Sequence, residues 1–133
     1  DTLNYKKPIY PCLGNHEAFP TDFFDINLHQ WILRDFADMW KEYLTEEAYE
    51  SLSRFGYYHM IHPGSNLRII STWSLTFDNM NWFLMPNNTD PLGQLRFLED
   101  TLLLAEKEGN DVIIIGHIPP GDVFSMSEWS RRY

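Results

Sequence analysis

In residues 90–121, which read DPLGQLRFLEDTLLLAEKEGNDVIIIGHIPPG, a helical pattern is followed directly by a strand pattern. Asp90-Pro91 is typical of a helix start, because proline fits the first position of a helix, where its missing N–H is not needed. Gly109 is the type of residue that ends a helix. The run 111–115 is almost wholly apolar, which predicts a short strand covered on both faces. The predicted core face of the helix consists of Leu92, Leu95, Leu98, Leu102 and Ala105.

Two further strand patterns precede this helix. GYYHMIH (56–62) and NLRIISTW (66–73) are rich in β-branched and aromatic residues, and Pro63-Gly64-Ser65 between them is a turn signal. These segments are predicted to pair as a hairpin. A strand followed by a crossover helix and a buried strand is a βαβ unit, so the predicted class is α/β, in a layered arrangement of helices and sheet.

Two helices are predicted before the hairpin. Apolar residues recur at intervals of three and four between positions 28 and 44, which indicates an amphipathic helix. Thr45 followed by Glu46 and Glu47 is typical of an N-cap with acidic residues in the first turn, and the second helix should end near Gly56. The apolar stripe of the first helix consists of Leu28, Ile32, Phe36, Met39, Trp40, Tyr43 and Leu44.

The composition is that of a folded domain. With 133 residues, of which 44% are hydrophobic, the chain can build one core of ordinary size. A net charge of -9 argues against nucleic acid as a partner, because phosphate backbones attract clustered Lys and Arg. No apolar run approaches the roughly 20 residues of a membrane span, and no signal-peptide pattern opens the chain. The start at Asp1 and the polar ending lead us to expect a piece of a longer protein, and Cys12, the only cysteine, cannot form an internal disulfide.

Residues 9–20, IYPCLGNHEAFP, show the same order as residues 111–121: an apolar run, a glycine, a histidine and then proline. We expect the run 8–13 to be a short buried strand that its two prolines shorten or make irregular. In α/β proteins, ligands and catalytic groups collect beyond the carboxyl ends of the strands. The side chains predicted to meet there are those of Asn15, His16 and His117.

This set of side chains suits metal-assisted hydrolysis. Imidazole binds zinc, iron and related ions, and a histidine that binds no metal can donate a proton near neutral or mildly acid pH. A glycine before each histidine lets the backbone turn sharply and approach an ion or a phosphate closely. The alternative is that both histidines only hydrogen-bond to loop backbone, but their matching contexts favour a functional site.

The order of GNHE after YP and GHIPPG after an isoleucine-rich strand resembles the acid sphingomyelinase group of the calcineurin-like metallophosphoesterases. The similarity continues in GYYHMIHPGSNLRIIS (56–71), in NNTDPLGQLRFLED (87–100) and in the Ser-x-x-Trp-x-x-x-Tyr that ends at Tyr133. It spans nearly the whole chain. The resemblance implies a layered α-β-β-α sandwich, of which residues 1–133 would be the incomplete central part of the catalytic domain.

By this resemblance, Asn15 would bind one metal of a two-zinc pair, and His117 would also bind a metal. His16 would be the catalytic histidine, which stabilises the transition state and protonates the leaving oxygen. Glu17 belongs to the same motif and is expected to hydrogen-bond beside the metal ligands rather than to bind metal. The implied reaction is phosphodiester hydrolysis by a hydroxide that two metals activate. The substrate that the resemblance favours is sphingomyelin, which would give ceramide and phosphocholine.

The chain departs from the family pattern in three ways. The Asp-x-His and Gly-Asp-x-x-Asp motifs upstream and the Gly-His-x-His motif downstream do not occur, and two ligands cannot hold two metals, so this chain alone should be inactive. Thr72-Trp73-Ser74-Leu75 stands where relatives usually have Leu-Asn-x-Asn, which should change the floor of the cleft. The family often has a disulfide that links this loop to the segment after GHIPPG, but there is no cysteine near Phe77 or Val123.

The same resemblance sets expectations for partners and location. The partner would be a phosphodiester substrate, a sphingolipid above all, and the chain would touch a membrane surface only through that substrate. A secreted or lysosomal location is implied, and the sequon Asn87-Asn88-Thr89 would allow glycosylation of Asn87. The oligomeric state stays open, as do two other functions: a relative that acts on nucleotides or other soluble phosphate esters, and a truncated, non-catalytic remnant.

The remaining histidines and aromatic residues have structural interpretations. His29, His59 and His62 match no ligand motif and are predicted to be structural or exposed, and Cys12 is predicted to be a small hydrophobic residue of the core. Large aromatic side chains are more often core than groove. The residues for which a lipid groove is the alternative to a core position are Trp73, Trp82, Phe83, Phe124 and Trp129.

Overall fold

A computed structural model describes residues 7–86 and 88–133 of the chain, and Asn87, the predicted glycosylation residue, lies outside the described residues. Helices and strands are mixed along this part of the chain, with short 3-10 turns between them. The elements are α1 (Ile26–Trp40), α2 (Glu46–Phe55), β1 (Tyr58–Ile61), β2 (Leu67–Ser71), α3 (Gln94–Glu108), β3 (Asp111–Ile115) and α4 (Ser127–Arg132). None of the described helices has the length and apolar character needed to cross a bilayer.

The strands form one mixed sheet in the order β1-β2-β3. β1 and β2 pair antiparallel, with Tyr58 opposite Ser71, which confirms the predicted hairpin. β2 and β3 pair in parallel, with Ser71 opposite Ile115, and α3 is the crossover between them. The predicted βαβ unit and the α/β class are therefore confirmed, and the carboxyl ends of β2 and β3 lie side by side at one edge of the sheet.

The predicted signals at the two ends of α2 have the expected geometry. The hydroxyl of Thr45 accepts a hydrogen bond from the N–H of Ala48 at 3.2 Å, and Gly56 ends α2 in the left-handed conformation with φ of 79°. α1 begins two residues earlier than predicted, because the Asp25 carboxylate caps it by accepting from the N–H of Asn27. The predicted helix 28–44 is thus α1 continued by a 3-10 turn over Lys41–Tyr43.

The helix predicted from Asp90-Pro91 begins later than the sequence indicates. Residues Pro91–Gly93 form a 3-10 turn in which Leu92 and Gly93 have positive φ, and the Asp90 carboxylate accepts from the N–H groups of Leu95 and Arg96. Gly109 ends the helix, as predicted. Leu102 was expected in the core, but it is 38% exposed, because the buried stripe of α3 runs through Thr101 instead.

Two predictions about strands are wrong. Residues 8–13 form no strand, because Pro8 and Pro11 lack the N–H that a ladder requires. This segment lies against the sheet through side chains instead: the carbonyl of Pro11 accepts from Tyr58 Oη at 3.0 Å and from Ser71 Oγ at 3.2 Å. β3 is not covered on both faces, since none of its five residues is buried and Ile113 is 47% exposed.

Two apolar clusters hold these elements together. The larger one joins α1, α2 and β1 to the loops before α1 and after β2, and the smaller one joins the loop after β3 to α3 and α4. Both loops that carry the motif histidines are anchored by these clusters. The larger cluster includes Leu13, Ala18, Phe24, Leu33, Leu52, Tyr58 and Trp73, and the smaller one consists of Phe77, Leu95, Ile118 and Trp129.

Candidate functional site

The two motifs meet although they are 102 residues apart. The Oδ1 atom of Asn15 lies 3.0 Å from Nε2 of His117. Asn15 is half-buried, whereas His117 and His16, which follows Asn15 in the chain, are exposed. The structure therefore brings together the amide and the imidazole that the sequence singles out, although residues 8–13 are not a strand. Their roles as metal ligands, and that of His16 in catalysis, stay predictions.

Close packing leaves little room for a side chain at the glycines before the two histidines. A Cβ atom on Gly14 would lie 3.0 Å from Cδ2 of His117 and 3.0 Å from Oε2 of Glu17, and one on Gly116 would lie 2.8 Å from Oγ1 of Thr72. Neither glycine has a positive φ. The close neighbours of these glycines are protein side chains, and the approach of the backbone to an ion or a phosphate stays a prediction.

Glu17 acts on the backbone of its own loop. Its Oε2 accepts a hydrogen bond from the N–H of Gly14 at 2.7 Å, and the side chain is otherwise exposed. The Glu17 carboxylate thus closes the turn by a hydrogen bond to the backbone three residues earlier in the chain. Its predicted place beside the metal ligands, rather than among them, stays a prediction.

The buried Trp73 side chain holds the GNHE turn from the core side. Its indole Nε1 donates to the carbonyl of Gly14 at 3.1 Å, and the side chain is only 1% exposed. Gln94 fixes the backbone of Trp73 on both sides, since its Oε1 accepts from Trp73 N at 2.6 Å and its Nε2 donates to Trp73 O at 3.1 Å. Gly56 leaves room for the indole, because a Cβ there would lie 2.3 Å from Cε3 of Trp73. The 72–75 loop thus forms the floor under the first motif.

Asp22 holds Asn15 from the other side. Asn15 Nδ2 donates to Asp22 Oδ1 at 2.6 Å, and the N–H of Asp22 donates to the carbonyl of Asn15 at 3.2 Å. Asp22 is not among the residues predicted from the sequence. No motif marks an aspartate seven positions after Asn15, and the contact depends on how the loop closes.

The loop after His117 is tied down without a disulfide. The N–H of Asn79 donates to the carbonyl of Phe124, and the N–H of Met126 donates to the carbonyl of Phe77, both at 2.8 Å. The rings of Phe77 and Trp129 stack with centroids 3.4 Å apart. Backbone hydrogen bonds and a ring stack therefore join the two segments in which the resemblance led us to look for a disulfide.

The carboxylates of Asp22, Asp78 and Asp122 lie close enough together for their charges to interact. Asp78 is almost completely buried, and burial raises its pKa, which the charges of Asp22 and Asp122 raise further. Oδ1 of Asp78 accepts from the N–H of Met80 at 2.9 Å, whereas Oδ2 has no hydrogen-bond partner among the described residues. Neighbouring carboxylate charges favour cations over anions at the surface around them.

Asn15 and His117 fit part of a metal site. Zinc bonds of about 2.0–2.1 Å to nitrogen and oxygen place two tetrahedral ligands about 3.3 Å apart, close to the 3.0 Å between Oδ1 and Nε2. Within residues 7–86 and 88–133, however, no cluster of three or more His, Cys, Asp or Glu side chains could hold a metal ion. Asn15 Oδ1 and His117 Nε2 can therefore serve as two ligands of one metal ion, and the remaining ligands would come from outside the described residues.

The other histidines have structural partners. His59 Nδ1 lies 2.9 Å from Nη1 of the buried Arg68, and burial and the Arg68 charge lower the pKa of His59. His62 Nδ1 pairs with the hydroxyl of Tyr10 at 2.6 Å. His29 Nδ1 accepts from the N–H of Asp25 at 3.1 Å. None of these contacts faces the Asn15–His117 pair.

The aromatic candidates divide between core and surface. Trp73 and Trp129 are buried in the two apolar clusters. Trp82 and Phe83 line a cavity of about 480 Å³ together with Trp73, whereas Phe124 is 53% exposed and is not among the residues that line it. The five residues therefore do not form one groove.

Known proteins resemble this chain over almost all of its length. The sequence model of the calcineurin-like phosphoesterases matches residues 1–132. Sphingomyelin phosphodiesterases of Bos taurus and Homo sapiens are each 39% identical over 132 residues, which cover 95% of this chain and 21% and 20% of theirs. The cyclic GMP-AMP phosphodiesterase SMPDL3A of Bos taurus is 34% identical over 119 residues, which cover 85% of this chain and 25% of that protein. The chain thus spans a fifth to a quarter of the length of these relatives.

Proposed function

The chain belongs to the calcineurin-like phosphoesterase family, and we propose that it is the central part of a catalytic domain that hydrolyses sphingomyelin to ceramide and phosphocholine. The observation that carries this proposal is the 3.0 Å contact between Asn15 of GNHE and His117 of GHIPPG. Two motifs from distant parts of the chain converge on one polar spot. The contact unites the two donor types that a hydrolytic metal centre uses.

We propose zinc as the metal, with two ions in the complete site. Members of this family bind metals, and the amide oxygen of Asn15 with the imidazole of His117 matches the oxygen and nitrogen donors that zinc accepts. When bound, the two ions would lower the pKa of a water molecule and offset the charge of the phosphoryl group. Two ions require more ligands than these residues offer. The chain on its own should therefore be inactive.

The protein residues would divide the remaining work. His16, exposed beside Asn15, would protonate the leaving oxygen as a general acid. Glu17 would keep the GNHE turn closed through its hydrogen bond from Gly14 N. The Trp73 indole would hold that turn against the core through its hydrogen bond to Gly14 O. The contacts of Glu17 and Trp73 with Gly14 keep Asn15 and His16 in a fixed position relative to His117.

Sphingomyelin is favoured as substrate by the two relatives at 39% identity, both of which are sphingomyelin phosphodiesterases. A nucleotide phosphodiester is the second candidate, and the relative named as a cyclic GMP-AMP phosphodiesterase supports it at 34% identity. With either substrate we propose a secreted or lysosomal enzyme. Glycosylation of Asn87 belongs to the same proposal.

The test uses the complete enzyme that contains residues 1–133, loaded with zinc. Phosphocholine release from sphingomyelin and hydrolysis of a cyclic dinucleotide are measured for the wild type, His16→Gln, His117→Ala and the control His62→Gln. We expect sphingomyelin to be preferred, His16→Gln to lose turnover with its zinc retained, and His117→Ala to lose both. His62 pairs with Tyr10 away from the site, so His62→Gln should keep both. Full activity of the His16 and His117 variants would overturn the assignment, and preference for the dinucleotide would replace the substrate.

A further inference from the structure

Asp22 makes two contacts to one residue of the site. Its carboxylate accepts from Asn15 Nδ2 at 2.6 Å, and its backbone N–H donates to Asn15 O at 3.2 Å. The second contact closes the loop between the two residues, and the first reaches the side chain that faces His117. Both are distinct from the contacts of Glu17 and Trp73, which act on Gly14.

The carboxylate determines which way the Asn15 amide faces. An ionised carboxylate only accepts hydrogen bonds, so the group of Asn15 that meets Asp22 must be its NH₂. The Oδ1 atom of Asn15 then faces His117 Nε2. Rotating the amide by half a turn would place two acceptor oxygens against each other at Asp22 and would point N–H donors, which cannot bind a cation, toward His117.

The backbone of Asp22 is suited to this task. Its φ is 66°, in the left-handed region that asparagine, aspartate and glycine tolerate best among the amino acids. The side chain is half-buried, and it is short enough to reach back to Asn15 within the loop.

We propose that Asp22 is a positioning residue of the metal centre, which holds the Asn15 amide with its oxygen toward the metal. The inference rests on the proposed function, because it takes Asn15 as a metal ligand. Removal of a group that orients a metal ligand costs about ten- to a hundredfold in metal affinity. We expect the loss of Asp22 to have an effect of this size on zinc.

Two substitutions separate the hydrogen bond from the charge. Asp22→Gly removes the acceptor and still adopts a φ of 66° without strain. Asp22→Asn removes the negative charge but keeps an acceptor oxygen and the same backbone tolerance. We expect Asp22→Gly to weaken zinc binding about ten- to a hundredfold and Asp22→Asn to recover most of that loss. Equal losses in both variants would show that charge matters rather than orientation, and would overturn the inference.

The measurements are made on the complete enzyme, with zinc affinity determined by competition against a chelator. In the zinc-free protein, ¹⁵N-edited NMR follows the side-chain amide of Asn15. We expect its hydrogen-bonded proton to move upfield in Asp22→Gly and to stay near its wild-type position in Asp22→Asn. An unchanged Asn15 signal in Asp22→Gly would contradict the inference.

His117→Ala distinguishes a failure of this inference from a failure of the proposed function. If His117→Ala weakens zinc binding and Asp22→Gly does not, only the positioning role is wrong. If neither variant weakens it, the metal assignment and the positioning role both fall.

If Asp22→Gly does not fold, the zinc-free wild type carries the test. The Nδ2 protons of Asn15 should exchange with solvent more slowly than those of an exposed asparagine side chain, because one of them is bound to the Asp22 carboxylate. Exchange of the Asn15 amide as fast as that of an exposed side chain would overturn the inference.

Discussion

Replacing Trp73 by phenylalanine tests how the first motif is held in place. The substitution keeps an aromatic ring in the larger apolar cluster but removes the Nε1 donor that binds Gly14 O at 3.1 Å. Since Trp73 is 1% exposed and Gly14 is buried, water cannot easily take the place of the lost donor. The carbonyl that precedes Asn15 is then left unpaired.

The expected cost follows from these contacts. A buried polar group without a partner costs about 1–3 kcal/mol. The smaller ring also leaves part of the indole volume empty, which adds a cavity penalty. We expect Trp73→Phe to lower the free energy of unfolding by about 2–4 kcal/mol in total.

Urea unfolding followed by circular dichroism measures this cost, and Trp31→Phe is the matched control. Trp31 lies on α1 and is 61% exposed, so the same chemical change there should cost less than about 0.5 kcal/mol. In NMR spectra, the imidazole signals of His117 should shift in Trp73→Phe but not in Trp31→Phe. Equal stabilities of the two variants, or a Trp73→Phe protein as stable as the wild type, would refute the proposed support.

Three other perturbations give further tests. Gly14→Ala should displace the His117 ring and weaken zinc binding in the complete enzyme, because the added Cβ would lie 3.0 Å from Cδ2; zinc affinity equal to the wild type would contradict the packing argument. Burial, followed by the Arg68 charge, lowers the pKa of His59, so the folded state resists protonation of this side chain. The free energy of unfolding should therefore fall as the pH drops below about 6.5 toward the lowered pKa, by at most about 1.4 kcal/mol per pH unit. His59→Gln should remove this pH dependence from urea-unfolding curves measured at several pH values. Burial, then the charges of Asp22 and Asp122, raise the pKa of Asp78, so Asp78 destabilises the fold increasingly as the pH rises above 3.8. Asp78→Asn should therefore unfold at a higher urea concentration than the wild type at pH 7, and the difference should be smaller at pH 4. The opposite trend would contradict the raised pKa of Asp78.

The elements that the sequence predicts correctly are those with local signals. Thr45 and Gly56 bound α2 because a cap and a left-handed glycine depend only on neighbouring backbone. The hairpin follows from the turn at Pro63-Gly64-Ser65, and the parallel pairing of β2 and β3 follows from the helix between them. Local patterns of this kind need no knowledge of distant partners.

The predictions that fail depend on neighbours that the pattern does not contain. The run 8–13 is apolar like a strand, but its prolines cannot take part in a ladder. The run 111–115 is apolar like a fully covered strand, yet its burial depends on which elements lie over each face. In the same way, Leu102 continues the apolar pattern of α3 but lies outside the stripe that meets the core.

The candidate site was predictable in its two motifs and not in its supports. Asn15 and His117 could be identified because each follows a glycine in a matching context, and the structure places them in contact. Asp22 and Trp73 could not be identified in this way, because their contacts to Asn15 and Gly14 arise from loop closure and from packing across 59 residues. Trp73 was noted in the sequence only as part of the unusual 72–75 stretch and as a core or groove aromatic, and neither observation indicates its contact with Gly14.

A crystal structure of the zinc-loaded complete enzyme, with zinc located by anomalous scattering at its absorption edge, tests the central claim most directly. The proposal predicts one zinc ion bonded to both Asn15 Oδ1 and His117 Nε2, each at about 2.0–2.2 Å. Zinc bound elsewhere, or bonded to neither of these atoms, would contradict it.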